Sequence, residues 1–201
     1  MKKRTVSIVL AALFVITAAV IAGSGRTSEV PTPPAIGATI DEFSLPDVNG
    51  QEHTLKSLKG KNGTVLIFIA VQCPVSNAYN DRMEKLAQDY KDKGIAVIGI
   101  NANSTEDVAT VKAHAAEKHL TFTILKDAGN KVADKLGAAR TPEAYFLDAN
   151  NKLLYHGRID NSQNQDAIES NDLRQALDSA LAGKPVEKPE AKAFGCSIKR
   201  A

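Results

Sequence analysis

Two short apolar segments, residues 64–70 and residues 95–100, constrain the fold of this chain more than any other feature. Both are rich in β-branched residues, and apart from Thr64 neither contains a polar side chain. Such runs are typical of strands that are buried on both faces. Residues 74–91 lie between them and carry apolar side chains at spacings of three and four, which predicts an amphipathic helix. Two buried strands joined by a helix form a parallel crossover, so the sequence predicts a sheet with helices on both faces.

Further strands and helices are predicted on either side of this crossover. In chain order they are short strands within residues 43–50 and 51–55, a connecting turn at 57–61, a helix after the candidate N-caps Ser104 and Thr105, a strand at 120–125, a helix at 130–136, a strand hairpin at 143–148 and 152–158, and a helix at 172–181. This order favours the α/β class with a central mixed sheet.

The length suits one globular domain with extensions at its ends. We assign the domain to residues 35–183. Residues 23–34 are rich in Pro, Ser and Thr, and this composition predicts an extended linker. Residues 184–201 contain Pro and Lys and are interpreted as a solvated tail, which carries Cys196.

The N-terminus has the pattern of a secretory signal. Lys2, Lys3 and Arg4 precede an uncharged apolar run at residues 6–22. The run lies at the lower limit of the length that spans a bilayer. Residues 1–22 are therefore predicted to be either a cleaved signal peptide or a retained N-terminal membrane anchor. Either way the domain is predicted to be exported, to the periplasm or the extracytoplasmic face of a membrane, where cysteines can pair or do redox chemistry.

Charge and cysteine content exclude several functions. The net charge of the 201-residue chain is only +2, which does not favour a nucleic-acid partner. Two cysteines cannot build a four-cysteine zinc or iron–sulfur site or a disulfide-rich scaffold. The four histidines lack paired metal-ligand spacing, and no phosphate-binding glycine loop is present. We therefore expect neither a metal nor a cofactor.

Cys73 is the strongest candidate for a catalytic residue. It comes just after the strand at 64–70 and begins the following helix, with Pro74 at the first helical position, where its missing N–H costs nothing. A helix N-terminus offers free N–H groups and partial positive charge, and both favour a thiolate. Ser76 lies on the same face, so its hydroxyl can donate to that thiolate. The alternative is that Cys73 is a small buried apolar side chain.

Ser76 occupies the position at which a C-x-x-C pair carries its second thiol. Cys196 is the other cysteine of the chain. It either resolves a mixed disulfide formed on Cys73, or forms a structural disulfide with Cys73, or is a free thiol in the tail. A structural bridge across so long a loop would stabilise the fold by roughly 4–5 kcal/mol in the chain-entropy description.

The body of the chain, about residues 35–183, resembles the thioredoxin-fold redoxins, the superfamily of alkyl hydroperoxide reductase/thiol-specific antioxidant proteins and thioredoxin-like reductases. The segments that carry the resemblance are residues 43–50, 55–60, 64–73 and 140–148, and those that resemble one exported subgroup with a C-P-V-S site and a C-terminal cysteine are residues 73–79, 157–160 and 194–199. The resemblance implies a thioredoxin-like sheet and a nucleophilic role for Cys73.

The same resemblance identifies Thr141-Pro142 with the cis-proline that faces the active cysteine in these proteins. In the family, the backbone before this proline pairs with an extended substrate segment, a form of strand addition. We therefore expect Pro142 to be cis, and we expect Pro74, Thr141 and Pro142 to contact the substrate.

The sequence departs from the family's patterns in four respects. Gln72 stands where thioredoxins have tryptophan, and residues 64–70 lack their buried acid. Leu66 and Ala70 stand where peroxiredoxins have proline and threonine. The last two departures remove hydrogen bonds that would polarise a peroxide O–O bond, so they disfavour efficient peroxidase activity.

Three functions remain open at this point. The favoured one is an exported thiol–disulfide oxidoreductase that acts on a protein disulfide or thiol through Cys73, with Cys196 or an external thiol as the resolving group. The second is a peroxidase in which Cys73 becomes a sulfenic acid and Cys196 resolves it. The third is a non-catalytic module that binds an extended segment beside Thr141-Pro142, with a structural Cys73–Cys196 disulfide.

Overall fold

The computed structural model describes residues 32–200, and its regular elements alternate between strands and helices. They are β1 (Ser44–Pro46), β2 (Glu52–Thr54), α1 (Leu55–Leu58), β3 (Gly63–Ile69), α2 (Pro74–Asn77), α3 (Asn80–Lys91), β4 (Ile95–Asn101), α4 (Val108–Glu117), β5 (Thr123–Lys126), α5 (Lys131–Lys135), β6 (Arg140–Thr141), β7 (Glu143–Leu147), β8 (Leu153–Gly157), α6 (Asp172–Leu181), β9 (Glu190–Ala191) and β10 (Cys196–Ser197). A short 3₁₀ helix, Gln165–Ala167, precedes α6.

A six-stranded mixed sheet forms the centre of the fold, in the order β5-β4-β3-β7-β8-β9. The strands β3, β4 and β5 are parallel, as the predicted crossover requires. The strand β7 runs antiparallel to both β3 and β8, which gives the predicted hairpin. The α/β class and the mixed sheet are therefore confirmed.

The side chains of β3 alternate between two hydrophobic cores, one on each face of the sheet. Val65, Ile67 and Ile69 pack with residues of α3 and α6. Leu66 and Phe68 pack with residues of α5 and with the segments before β3. Every residue of β3 is buried, which explains why its sequence is continuously apolar rather than alternating.

Two helices differ from their predicted form. The helix predicted at residues 74–91 is divided into α2 and α3. At the junction the N–H of Tyr79 donates to the carbonyl of Ser76, three residues earlier, in a hydrogen bond of the 3₁₀ type. The N-cap of α4 is Asp107, whose carboxylate accepts from the N–H of Thr110, and neither Ser104 nor Thr105 caps it. The aspartate lies where the helical hydrogen bonds begin, so the prediction of a serine or threonine cap was wrong.

The C-terminal residues fold onto the domain, so their interpretation as a solvated tail was wrong. The strand β9 pairs in parallel with β8 and extends the sheet by one strand. Gly157 permits this approach, because a Cβ on it would lie 1.8 Å from the carbonyl oxygen of Ala191. Farther on, Ile198 is buried in the core that contains Leu66. Apolar burial at two points thus holds a segment that is polar elsewhere.

The predicted leader, residues 1–22, and most of the predicted linker lie outside the described residues. Within residues 32–200, none of the helices combines the length and the apolar character that crossing a bilayer requires.

Candidate active site

Cys73 lies where the sequence predicts it, between the central strand β3 and the helix α2. It is the N-cap of α2, with Pro74 as the first helical residue. The N–H of Ser76 donates to Cys73 Sγ over 3.3 Å. The residue is only 2% exposed, so its sulfur is set within the protein rather than on its surface.

The segment Thr141-Pro142 faces this sulfur from the other side. The peptide bond between these two residues is cis, as expected from the resemblance. Cys73 Sγ lies 3.2 Å from the carbonyl oxygen of Thr141, to which the thiol donates. Pro142 is buried, whereas Pro74 is exposed at the rim of the site. Three of the predicted site residues thus surround the Cys73 sulfur or border it.

Cys196 is brought to the same sulfur by the strand β10. This strand pairs antiparallel with β6, and Cys196 stands opposite Thr141. Because the Thr141 carbonyl accepts from the Cys73 thiol, this pairing places the two cysteines beside each other. Both cysteines are free thiols in this structure. The two cysteines are far apart in sequence, so only the packing of the C-terminal segment brings them together.

The surroundings of the two thiols shift their pKa values in opposite directions. Burial by itself raises the pKa of Cys73, but the neighbouring Cys196, the contact with Thr141 and the hydrogen bond from the Ser76 amide outweigh it and lower the pKa. Burial and the neighbouring Cys73 raise the pKa of Cys196. Cys73 is therefore the thiol that ionises first.

Ser76 contributes through its backbone rather than through its hydroxyl. The hydroxyl oxygen accepts from the N–H of Ala70 over 3.2 Å, and it is the Ser76 amide that bonds to Cys73 Sγ. The sequence predicts a hydroxyl donor at this place, and the structure provides an amide donor instead. The Ser76 hydroxyl links the end of β3 to α2 and so fixes the turn that carries Cys73.

A buried glutamate that sequence reasoning missed holds the loop in front of Cys73. Glu106 is 1% exposed, and its carboxylate accepts from the N–H groups of Val71 (3.0 Å) and Gln72 (2.8 Å). The side-chain amides of Asn101 and Asn103 also donate to it. Burial raises the pKa of Glu106, but these hydrogen bonds prevail and lower it. The ionised carboxylate of Glu106 therefore holds two successive backbone amides in place by hydrogen bonds.

A second buried glutamate holds the loop on the opposite side of the site. Glu143 accepts from the N–H groups of Ala139 (2.8 Å) and Arg140 (2.7 Å), just before Thr141. His156 Nε2 lies 2.7 Å from its other carboxylate oxygen. Burial raises the pKa of Glu143, but the bonds from His156 and the two amides lower it overall. One signal for this role was present in the sequence, because Glu143 is the one acid in the fully buried strand β7.

The C-terminal segment is held on both sides of Cys196. On one side, the ring of Phe194 packs edge-on against Tyr79, with 6.3 Å between ring centroids. On the other side, the N–H of Lys199 donates to Asn103 Oδ1 and the Lys199 carbonyl accepts from the N–H of Ser104, both over 2.8 Å. Since Asn103 also donates to Glu106, one loop contacts both cysteine-bearing segments.

No group of three or more His, Cys, Asp and Glu side chains in the described part of the chain is arranged to hold a metal ion. The positions of Cys73 and Cys196 support the chemistry of two neighbouring thiols with unequal acidity.

The fold and the site together define a class. A buried cysteine at the start of the helix that follows the central strand, opposite a cis-proline, is the arrangement of a thioredoxin-fold thiol protein. Residues 36–156 match the family model described as AhpC/TSA family. The chain belongs to the AhpC/TSA family.

Known proteins similar to this chain include thiol-disulfide oxidoreductases and a peroxiredoxin. A thiol-disulfide oxidoreductase ResA of Halalkalibacterium halodurans is 32% identical over 112 residues, which cover 56% of this chain and 62% of that protein. A chloroplastic peroxiredoxin Q of Sedum lineare is 33% identical over 136 residues, covering 61% and 69%. The crystal structure of a hypothetical protein from Sinorhizobium meliloti 1021 superposes with a TM-score of 0.78 at 32% identity, and covers 85% of this chain and 97% of that one.

Proposed function

We propose that this chain is an exported thiol–disulfide oxidoreductase in which Cys73 is the nucleophile and Cys196 the resolving thiol. The observation that carries the proposal is the pairing of β10 with β6, which sets Cys196 opposite Thr141, the residue whose carbonyl oxygen lies 3.2 Å from Cys73 Sγ. Cys196 thereby supplies the second sulfur that the C-P-V-S sequence lacks. The ResA relative, which is named as a thiol-disulfide oxidoreductase, supports the same reaction class.

The reaction has two exchange steps. The Cys73 thiolate attacks one sulfur of a partner disulfide, a Cys73–partner disulfide forms, and the other partner sulfur leaves as a thiolate. The Cys196 thiolate then attacks Cys73 Sγ, a Cys73–Cys196 disulfide forms, and the first partner sulfur leaves and takes up a proton. The partner is reduced to two thiols and this chain is oxidised. An external dithiol restores it, and relative reduction potentials set the direction of the cycle.

The unequal acidity of the thiols suits these roles. The attacking sulfur needs to be a thiolate, and the pKa of Cys73 is lowered. The raised pKa of Cys196 keeps that sulfur protonated until Cys73 has reacted and no longer carries charge. The first attack is therefore by Cys73 and not by Cys196.

The partner is proposed to be a protein disulfide or thiol outside the cytoplasm. Pro74, Thr141 and Pro142 border the Cys73 sulfur or the opening to it, which supports their proposed contact with the partner. The redoxin domain, residues 35–183, supplies Cys73, and the tail, residues 184–201, supplies Cys196. Residues 1–22 export the domain and, if they are retained, are its one membrane contact.

The proposal is tested by determining whether Cys73 and Cys196 of the exported protein are free thiols or joined in a disulfide. Protein purified without reductant is alkylated, and intact and peptide masses are taken before and after mild reduction. A Cys73–Cys196 disulfide that opens under mild reduction, together with reduction of a protein disulfide substrate, supports the proposal. A bridge that opens only under denaturation identifies the third possibility, a structural disulfide in a binding module, and contradicts it.

Peroxidase activity is the second candidate, because the peroxiredoxin Q relative matches more than half of this chain. Here the Cys73 thiolate would attack a peroxide oxygen, giving a sulfenic acid and releasing water or an alcohol, and Cys196 would condense with it with loss of water. Ala70 offers no hydroxyl at the end of β3, which speaks against rapid turnover. Consumption of hydrogen peroxide by the reduced protein, compared with its Cys73→Ser variant, separates the two candidates.

A further inference from the structure

The backbone beside the Cys73 sulfur is already paired with a segment of the chain itself. The strand β6, residues 140–141, carries the Thr141 carbonyl that touches Cys73 Sγ, and its partner is β10. Whatever pairs along this edge is therefore placed next to the Cys73 sulfur. In this structure that occupant is Cys196.

A partner disulfide cannot reach Cys73 while this pairing lasts. Disulfide exchange brings an incoming sulfur to about 2 Å from the attacked or attacking sulfur. Cys73 is 2% exposed, and Cys196 stands opposite Thr141, the residue whose carbonyl accepts from the Cys73 thiol. A protein partner therefore has to take the place of Cys196 at the edge of β6.

The residue before Cys196 shows what this edge accepts. Gly195 lies against the Thr141 carbonyl, and a Cβ on it would stand 2.0 Å from that oxygen. Its φ of +141° is one that other residues rarely adopt. A segment that pairs in this register therefore needs glycine immediately before its cysteine.

The residue after Cys196 adds a polar preference. The guanidinium of Arg140 donates to Ser197 Oγ over 3.0 Å. Its side chain is on the exposed side of the edge, so it remains available to a replacement segment. An acceptor such as a serine hydroxyl after the partner cysteine fulfils the same hydrogen bond.

We propose that residues 194–200 are a tethered occupant of the edge of β6, where the resemblance already places an extended partner segment, and that a partner segment of the type Gly-Cys-Ser has to displace them to reach Cys73. This rests on the proposed function, since it names the partner chemistry of the same site. Main-chain pairing gives the partner its affinity, and the glycine before its cysteine gives specificity.

The occupant is held by a small set of contacts that can open locally. Lys199 and Ser197 are exposed, and Phe194 and Cys196 are half-buried. Ile198 is the one fully buried side chain in residues 194–200. Segments with few buried apolar contacts open at far lower free energy than the core does.

A peptide disulfide tests the proposal on the full-length chain. The probe is Ala-Phe-Gly-Cys-Ser-Ile-Lys, with its cysteine joined to 2-nitro-5-thiobenzoate, so that capture by Cys73 releases a coloured thiolate. The protein carries Cys196→Ser, which leaves Cys73 as its single thiol and leaves the tail backbone unchanged. Adding Gly195→Ala should weaken the pairing of residues 194–200 with β6. If these residues leave the edge of β6 for about a tenth of the time in the Cys196→Ser protein, the added substitution should raise the capture rate about tenfold.

Two controls make the result specific. Gly183→Ala, also at positive φ but with nothing within 4 Å of the new Cβ, should leave the capture rate unchanged. A second peptide with valine in place of glycine should be captured about tenfold more slowly by the Gly195→Ala protein, which corresponds to about 1.4 kcal/mol of docking free energy.

A second variant covers the case in which Gly195→Ala does not fold. Arg200 donates to Asp134 Oδ1 over 2.8 Å and to the Ala138 carbonyl over 2.6 Å, so Arg200→Ala loosens the tail without entering the core. It should also raise the capture rate. Arg174→Ala, which removes an ion pair with Asp89 elsewhere, is its matched control.

The outcomes separate this inference from the proposed function. Equal capture rates with and without the tail contacts overturn the displacement, and equal rates for the glycine and valine peptides overturn the docking register. In both cases Cys73 still reacts, so the proposed function stands. If Cys73 reacts neither with the peptides nor with a small aromatic disulfide, although the denatured protein does, the proposed function fails and this inference with it.

Discussion

The two cysteines of the site are held in different ways. Cys73 lies between the fully buried strand β3 and the helix α2, and the ionised Glu106 braces the loop in front of it. Cys196 lies on a two-residue strand near the surface, in a segment held by Phe194, by the buried Ile198 and by the hydrogen bonds of Lys199 and Arg200. A nucleophile needs fixed donors to keep its pKa low, whereas a resolving thiol has to move. One sulfur therefore belongs to the core, and the other belongs to a segment that is able to leave it.

Replacing the nucleophile Cys73 is expected to have the largest effect on activity. We expect Cys73→Ser to lower disulfide-exchange activity by about a thousandfold or more, because a serine hydroxyl does not ionise near neutral pH and cannot form a disulfide. The measurement is reduction of a protein disulfide by the reduced protein. Retention of activity in this variant would assign the chemistry to Cys196 and reverse the two roles.

Replacing the resolving thiol is expected to have a smaller and different effect. In Cys196→Ser the first exchange step remains, so the protein should react once and then stop as a Cys73–partner mixed disulfide. Intact mass after reaction with a disulfide substrate detects the adduct, and the Cys73→Ser protein is its negative control. Continued turnover with no added thiol would show that Cys196 does not resolve the adduct.

The sequence predicts the elements that position Cys73 but not most of those that position Cys196. The continuous apolar run of β3 and the position of Pro74 are local signals, so they predict the strand, the helix start and the cysteine between them. The pairing of β10 with β6 depends on a close approach at Gly195 and on burial of Ile198. Neither has a periodic pattern in a segment that is otherwise polar, so nothing local distinguishes it from a solvated arm.

The two bracing glutamates show the same limit. Glu106 follows a strand and lies close to two candidate N-caps, so its sequence context suggests a helix start rather than a carboxylate turned inward. Its partners, the amides of Val71 and Gln72, lie more than thirty residues away. The cis-proline was predicted only through the resemblance, because the sequence around Thr141-Pro142 carries no physical signal of its own.

Removing the charge of Glu106 should destabilise the Cys73 side selectively. In Glu106→Gln the buried group keeps one acceptor oxygen and gains an amide that faces backbone donors, so we expect a loss of about 2 kcal/mol in the free energy of unfolding. Chemical denaturation measures it. Glu117→Gln, in which the exposed Glu117 of α4 is changed, is the matched control and should change stability by less than about 0.5 kcal/mol.

The same variant has a defined pH dependence. The pKa of Glu106 is lower in the folded protein than its ordinary value of 4.5. Its contribution to stability is therefore fully present above about pH 4.5 and is lost as the pH falls through the folded-state pKa. The stability difference between the wild-type protein and Glu106→Gln should shrink below that pH. A difference that stays constant into the acid range would show that the carboxylate charge is not what holds Val71 and Gln72.

The smallest expected effect is the shift in the pKa of Cys73 when the Cys196 thiol beside it is removed. The alkylation rate of Cys73 rises with pH through its thiol pKa, which is lowered from 9.0 partly by the Cys196 thiol. Cys196→Ala removes that donor while the paired backbone of β10 keeps Cys73 buried, so the midpoint should move toward alkaline pH. Cys196→Ser retains a hydroxyl donor and should stay nearer the wild-type midpoint. The rate is followed by the mass of the alkylated Cys73 peptide. If alanine and serine give the same midpoint as the wild-type protein, the two thiols do not interact in solution, and the segment that carries Cys196 spends little time at the edge of β6.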